Sequence, residues 1–236
     1  MQNYQQIKWS RSYGGAKHVF TGTETGVSCG LYEVDYDTVP NYLYGMVPAG
    51  TPVYADDAKK KIAFHFAFET YAITAYSNGN EAFDVKLKKG SEGSRCVAGM
   101  KLGVMPNTDA NLLLEVADVF TVTNVDRTST LYDVVTVSCT ARTVSTSADQ
   151  IAAGTVLVEL AEQVDDSGEY FVKVLPNGIT FYDVAKDPNV VLMGIDYMFC
   201  QPDGVVLTNR IPPIADVVRN YMRSKDVYLR YSTAKE

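Results

Sequence analysis

Histidine is scarce in this chain: two in 236 residues, His18 and His65. Nucleophilic catalysis of the Ser–His–Asp or Cys–His kind needs such a base beside the nucleophile, so this shortage argues against it. Neither histidine has a Cys, His or carboxylate at metal-ligand spacing, which argues against zinc. The four cysteines, Cys29, Cys96, Cys139 and Cys200, lie too far apart for a redox or zinc motif. They are expected to stay reduced and to behave as small buried hydrophobes. Gly14-Gly15-Ala16-Lys17 has no Ser or Thr after its lysine, so it does not make a phosphate-binding loop.

Long apolar runs are missing too. No stretch approaches the ~18 residues of a membrane span, and residues 190–199, the best, contain Asp196. The start, Met1-Gln2-Asn3-Tyr4-Gln5-Gln6-Ile7-Lys8-Trp9, has no apolar core of a secretory signal, so synthesis and folding in a cytoplasm are expected. Basic runs are limited to Lys59-Lys60-Lys61, read as a solvated loop or strand end. With a net charge of −7, the chain is not expected to bind nucleic acid or an anionic membrane, which need clustered Lys and Arg.

What is present is a short phrase used twice. Val47-Pro48-Ala49-Gly50-Thr51-Pro52-Val53 is echoed by Ile151-Ala152-Ala153-Gly154-Thr155-Val156-Leu157. Each copy is an apolar residue, a small turn around Ala-Gly, a threonine and a return to apolar character. Glycine reaches positive φ without the strain of a side chain, so Gly50 and Gly154 are predicted to reverse the chain there. Gly50, Thr51, Gly154 and Thr155 are therefore read as structural turn residues.

Strand-forming residues dominate the middle of the chain. Residues 61–69 alternate, with Ile62, Phe64, Phe66 and Phe68 on one face and His65 on the other, as a surface or second-sheet histidine. Further strands are predicted at 82–87, 116–125, 132–139, 156–160, 170–175 and 179–184, separated by turn-forming residues. One amphipathic helix is predicted after Ile211-Pro212-Pro213, with Ile214, Val217, Val218, Tyr221 and Met222 on its apolar face. Leu112-Leu113-Leu114 fits a short helix, a strand or a loop equally. The fold class expected is mainly β, as sandwich or barrel-like modules with short turns and one C-terminal helix. The chain reads as one compact unit, residues 1–236. The alternative is two β-modules in contact, 1–142 and 143–236, meeting at the polar stretch 143–150.

Carboxylates are the remaining chemistry-bearing groups. Glu33, Asp35 and Asp37 alternate on one strand face, and Asp165-Asp166 falls in a turn. Acids interleaved with Val and Tyr describe a solvent-facing strand, with calcium binding or glycosidase chemistry as alternatives. Sixteen tyrosines and the single Trp9 can serve either sheet packing or an interface. Candidate interface residues are Trp9 and Tyr13 near the start, and Val217 and Tyr221 on the helix.

Several segments in order carry a likeness. Val85-Lys86-Leu87-Lys88-Lys89-Gly90 ends a strand in Lys-Lys-Gly. Val125-Asp126-Arg127 opens a hairpin into Tyr132-Asp133-Val134-Val135-Thr136-Val137. The Ala-Gly-Thr turn follows, and Arg210-Ile211-Pro212 then leads to a short helix and a last strand, Val227-Tyr228-Leu229-Arg230-Tyr231. This order resembles the head-fibre and capsid-decoration proteins of tailed bacteriophages. Pro48-Ala49-Gly50-Thr51-Pro52 is similar to turns in the small decoration proteins. The resemblance covers about two-thirds of the chain and none of its parts is an invariant motif.

The resemblance implies a virion protein without enzymatic activity or cofactor, made in the host cytoplasm and held on the capsid exterior. Its expected partners are the major capsid protein and itself, as a homotrimer, with neither nucleic acid nor membrane. It would stabilise the shell or present a fibre. The rivals are a tail, collar or portal-proximal component, a carbohydrate-binding or adhesin module, and a β-fold hydrolase using Glu33, Asp35 and Asp37.

Overall fold

The computed structural model describes residues 20–21, 27–35, 46–76, 82–89, 95–104, 119–141, 149–162, 170–180, 184–185, 195–198, 205–227 and 229–232. In chain order the strands begin with β1 (Phe20–Thr21), β2 (Val27–Val34), β3 (Met46–Val47), β4 (Pro52–Asp56), β5 (Lys61–Phe64) and β6 (Ala67–Glu69). Then come β7 (Thr74–Tyr76), β8 (Ala82–Lys88), β9 (Lys101–Val104), β10 (Val119–Asp126), β11 (Tyr132–Ala141), β12 (Asp149–Ile151) and β13 (Val156–Glu162). The last are β14 (Tyr170–Val172), β15 (Gly178–Thr180), β16 (Val184–Ala185), β17 (Ile195–Met198), β18 (Val205–Leu207) and β19 (Tyr231–Ser232). A helix, α1 (Asp216–Ser224), lies between the final two strands. The fold is mainly β, as the residue composition predicted.

The largest sheet has seven strands, in the order β14-β13-β9-β10-β11-β8, with β6 also paired to β13. Five others, β15-β17-β2-β5-β4, close on one another in a ring. Smaller sheets join β1-β18-β19, β12-β7 and β16-β3. Most pairs are antiparallel, while β2 with β5 and β18 with β19 run parallel. Strand pairing crosses position 142 repeatedly, as in β4 with β15, β6 with β13 and β2 with β17. The halves 1–142 and 143–236 are thus laced together strand by strand.

The long hairpin of β10 and β11 shows why such sequences form strands. Val135, Val137 and Cys139 alternate with half-buried residues along β11, so every second side chain enters the core. At its turn the Asp126 carboxylate accepts the Thr128 N–H at 2.9 Å, fixing the reversal locally. The hairpin of β4 and β5 uses the same device, with the Asp56 carboxylate accepting the N–H groups of Ala58 and Lys59 at 3.0 and 3.1 Å. The run Lys59-Lys60-Lys61 occupies this exposed turn and the first residue of β5.

Two expectations need correction. The alternating stretch 61–69 is not one strand, because it breaks after Phe64 and resumes as β6 at Ala67. Ile62, Phe64, Phe66 and Phe68 are all buried, and so is His65, at 2% exposure. At the break the chain passes from the ring to the large sheet, so protein covers both of its faces and His65 is no surface residue. Of the predicted strand 179–184, residues 179 and 180 lie in β15 and Val184 opens β16, while 181–183 lie outside the described residues.

The helix begins two residues later than its apolar pattern. Ile214 is buried just before it, and Val217, Val218 and Met222 form its buried face. Ala215 supplies no side-chain cap, but its carbonyl accepts the N–H groups of Val218 and Arg219 at 2.9 and 3.1 Å. The prolines at 212 and 213 pre-set the extended entry. No helix among the described residues is long and apolar enough to cross a membrane.

Phe120 in the large sheet is fully buried and set edge-on to Phe83 with ring centres 5.7 Å apart. Phe120→Ala removes that packing and leaves a cavity. It should lower stability by about 3–5 kcal/mol, read as a reduced denaturant midpoint at unchanged slope.

Candidate functional site

The two Ala-Gly-Thr turns are the most detailed constructions in the fold. Gly50 and Gly154 sit at φ of +80° and +82°. In each turn the carbonyl of the first residue accepts the N–H of the threonine: Pro48 from Thr51 at 3.3 Å, and Ala152 from Thr155 at 3.2 Å. A glycine in third place with positive φ is what a type II turn demands.

Each turn is then clasped by a distant, fully buried threonine. The Gly50 N–H donates to the Thr180 carbonyl at 2.8 Å, and the Thr180 N–H donates to the Thr51 carbonyl at 2.9 Å. The Gly154 N–H donates to the Thr70 carbonyl at 2.9 Å, and the Thr70 N–H donates to the Thr155 carbonyl, also at 2.9 Å. The hydroxyls complete the clasp. Thr180 Oγ1 donates to the Pro48 carbonyl at 3.1 Å, and Thr70 Oγ1 donates to the Ala152 carbonyl at 2.7 Å. Spacing along the chain gave no sign of Thr70 or Thr180, since their role exists only across the fold.

The surroundings of the two turns differ. Ile211 lies against Gly50, so a Cβ there would run into its side chain. At Gly154 the nearest atom to such a Cβ is Glu69 Oε1, at 3.9 Å. Thr51 is buried, whereas Ala152, Ala153 and Gly154 are exposed.

Of the carboxylate row, Glu33 and Asp35 are among the described residues. Glu33 is exposed on β2 opposite Lys61, and Asp35 pairs with the Lys61 ammonium at 3.5 Å. Asp37, Asp165 and Asp166 lie outside the described residues, as do Trp9, Tyr13 and His18. Among the described residues no three metal-ligating side chains stand close enough to hold an ion. Deeper in the fold, Asp133 is fully buried with the Lys89 ammonium 3.2 Å away, and Glu159 is paired with Lys173 at 2.6 Å. Cys96 and Cys139 are buried, and burial pushes the Cys96 thiol up to about 12.

Val217 corrects another expectation. At 7% exposure it packs within the chain's own core beside Val218 and Met222, leaving no surface for a partner. Tyr221 stays half-exposed, with the Lys225 ammonium 5.7 Å from its ring centre.

An aromatic patch stands elsewhere, at the start of β11. Tyr71 and Tyr132 meet with ring centres 5.1 Å apart, and the Lys86 ammonium lies 4.9 Å above Tyr132. Pairing brings them together, because Tyr132 stands opposite Lys88 and the Tyr71 N–H donates to the Lys86 carbonyl at 2.7 Å. Ile73 and Leu131, neighbours of these tyrosines in sequence, are 62% and 60% exposed. The sequence reading missed this patch, and alternation alone would not have found it. No protein-family model matches the chain, and no curated protein or solved structure matches it either.

The turns and the buried thiol each give a measurement. Gly154→Ala has room but forces an L-residue to positive φ, so it should cost about 1 kcal/mol. Gly50→Ala adds a collision with Ile211 and should cost about 2–4 kcal/mol, seen as a clearly larger fall in melting temperature. Cys96 should resist a thiol reagent in the native protein at pH 8 and react fully once the chain is unfolded without reductant.

Proposed function

We propose that this chain is a non-enzymatic structural protein of a phage particle, binding the outer surface of the capsid as head decoration or head fibre. The observation that carries this reading is the ordered resemblance running from the Lys-Lys-Gly strand end to the last strand, with the second Ala-Gly-Thr turn inside it and the first upstream. A mainly β chain whose turns are tied down by long-range hydrogen bonds suits a part that must keep its shape under load. Its partners are the major capsid protein and two further copies of itself. A ligand that binds only the assembled shell stabilises that shell by mass action.

A second reading is favoured by one specific feature. Exposed Tyr71 beside half-buried Tyr132, with Lys86 above the latter, is the kind of aromatic surface on which a sugar ring can stack, as in a carbohydrate-binding or adhesin module. The tail, collar or portal-proximal reading differs from the first in location alone.

The purified protein should sediment as a trimer and should co-sediment with intact cognate shells but not with free capsid subunits. Added protein should raise the temperature at which empty shells break, by an amount that saturates. Absence from purified virions together with failure to bind shells would overturn the capsid reading. Binding on a glycan array that is lost in Tyr71→Ala and Tyr132→Ala would put the second reading in its place.

A further inference from the structure

Residues 48–70 and 152–180 follow the same plan. Each opens with the Ala-Gly-Thr turn and continues through a strand, a hairpin and a second strand. Each then breaks and ends in a short strand that runs into a buried threonine. In the first segment these parts are β4, β5, the break at His65 and Phe66, then β6 and Thr70. In the second they are β13, β14, the break at 173–177, and β15 with Thr180.

The pairing registers agree. Pro52 and Val53, which follow the first turn, stand opposite Ile179 and Gly178, the two residues before Thr180. Val156 and Leu157, which follow the second turn, stand opposite Glu69 and Phe68, the two residues before Thr70. In both cases the final strand of one segment pairs with the first strand of the other.

The breaks are where the two segments cross. From the first, the Phe66 carbonyl accepts the Glu159 N–H of β13 at 3.0 Å. From the second, the Asn177 N–H donates to the Val53 carbonyl of β4 at 2.8 Å, and the Asn177 side chain bonds both backbone groups of Ala55. His65 joins one break to the other, with its ring Nδ1 2.8 Å from the Val174 carbonyl. A carbonyl can only accept, so Nδ1 carries the proton and Nε2 presents a lone pair. Nε2 is buried and has no hydrogen-bond partner among the described residues.

We infer that residues 48–70 and 152–180 are two copies of one unit that have exchanged their last strands, and that His65 is the pin that makes the exchange sensitive to acid. A lone pair facing apolar surroundings is tolerable, whereas a charged N–H there has neither water nor an acceptor. The charged groups on the packed elements are matched elsewhere. Glu159 of β13 is held by Lys173 of the second break, Glu69 of β6 by Lys88, Lys61 of β5 lies by Asp35, and Asp56 of β4 by Lys59. Burial, opposed weakly by the Val174 carbonyl, pushes the ring down to about 4 from its ordinary value near 6.5. Above pH 6.5 the imidazole is neutral in both folded and unfolded chains. As pH falls towards 4 the unfolded chain takes up a proton that the folded one refuses, so stability is lost across that window. The unfolding constant gains about tenfold per pH unit within it.

The test compares the wild type with His65→Asn, whose amide can still donate to Val174 but does not titrate. Between pH 7 and pH 4.5 the unfolding constant of the wild type should rise about 60-fold more than that of the variant, by denaturant titration. Equal pH dependence in the two proteins overturns the pin. If the variant does not fold, the wild type gives the answer by NMR titration: the His65 ring should stay neutral down to about pH 5, and titration near 6.5 overturns the proposal. Amide exchange tests the shared exchange of strands. The N–H groups of Gly50, Thr70, Gly154 and Thr180 should lose protection together as pH approaches 4. Loss at one turn while the other stays protected refutes the linkage between them.

Discussion

The buried threonines Thr70 and Thr180 hold the two sharpest turns of the fold against strands that are remote in sequence. A hydroxyl taken out of water without a partner costs about 1–3 kcal/mol, so each must find the carbonyl of the turn opposite. That requirement fixes register, because a slip of one residue would point the threonine away from the turn and reverse every side chain on its strand. Closure of the ring follows from one clasp through β4 and β15. Attachment of β6 to the large sheet follows from the other.

Part of this was legible in the residues. The two glycines at positive φ could be read directly, because a local steric rule governs them. The apolar face of α1 and the hairpin joining β10 to β11 were legible for the same reason, since both rest on near neighbours. The break at His65 was not. Residues 61–69 alternate perfectly, and only the arrival of a second segment on the other side turns a strand into a crossing. Val217 was misassigned because a helix's apolar stripe looks alike whether it faces its own core or a partner. The Tyr71 and Tyr132 patch depends on pairing between β8 and β11, which no short window of sequence contains.

The two copies have been put to different uses. The first turn lies under the C-terminal segment, with Ile211 filling the space that a side chain at residue 50 would need. The same segment leads into α1, whose Val217, Val218 and Met222 join Ala49 and Ile179 in one apolar cluster. The second turn has no such cover, and its Ala152, Ala153 and Gly154 remain at the surface. One copy therefore anchors the helix while the other leaves a small, smooth projection beside Glu69.

Exchange of strands also dictates the order in which the chain can be completed on a ribosome. The second clasp joins residues separated by 85 positions, Thr70 and Thr155, and it closes before the first copy can finish. The first turn must wait for Thr180, 129 positions beyond Thr51. Until that residue emerges, β4 has only β5 beside it and its other edge is open to any passing strand. Contacts this distant slow folding and lengthen the time for which such an edge is exposed. The N-terminal copy, made first, is therefore finished last.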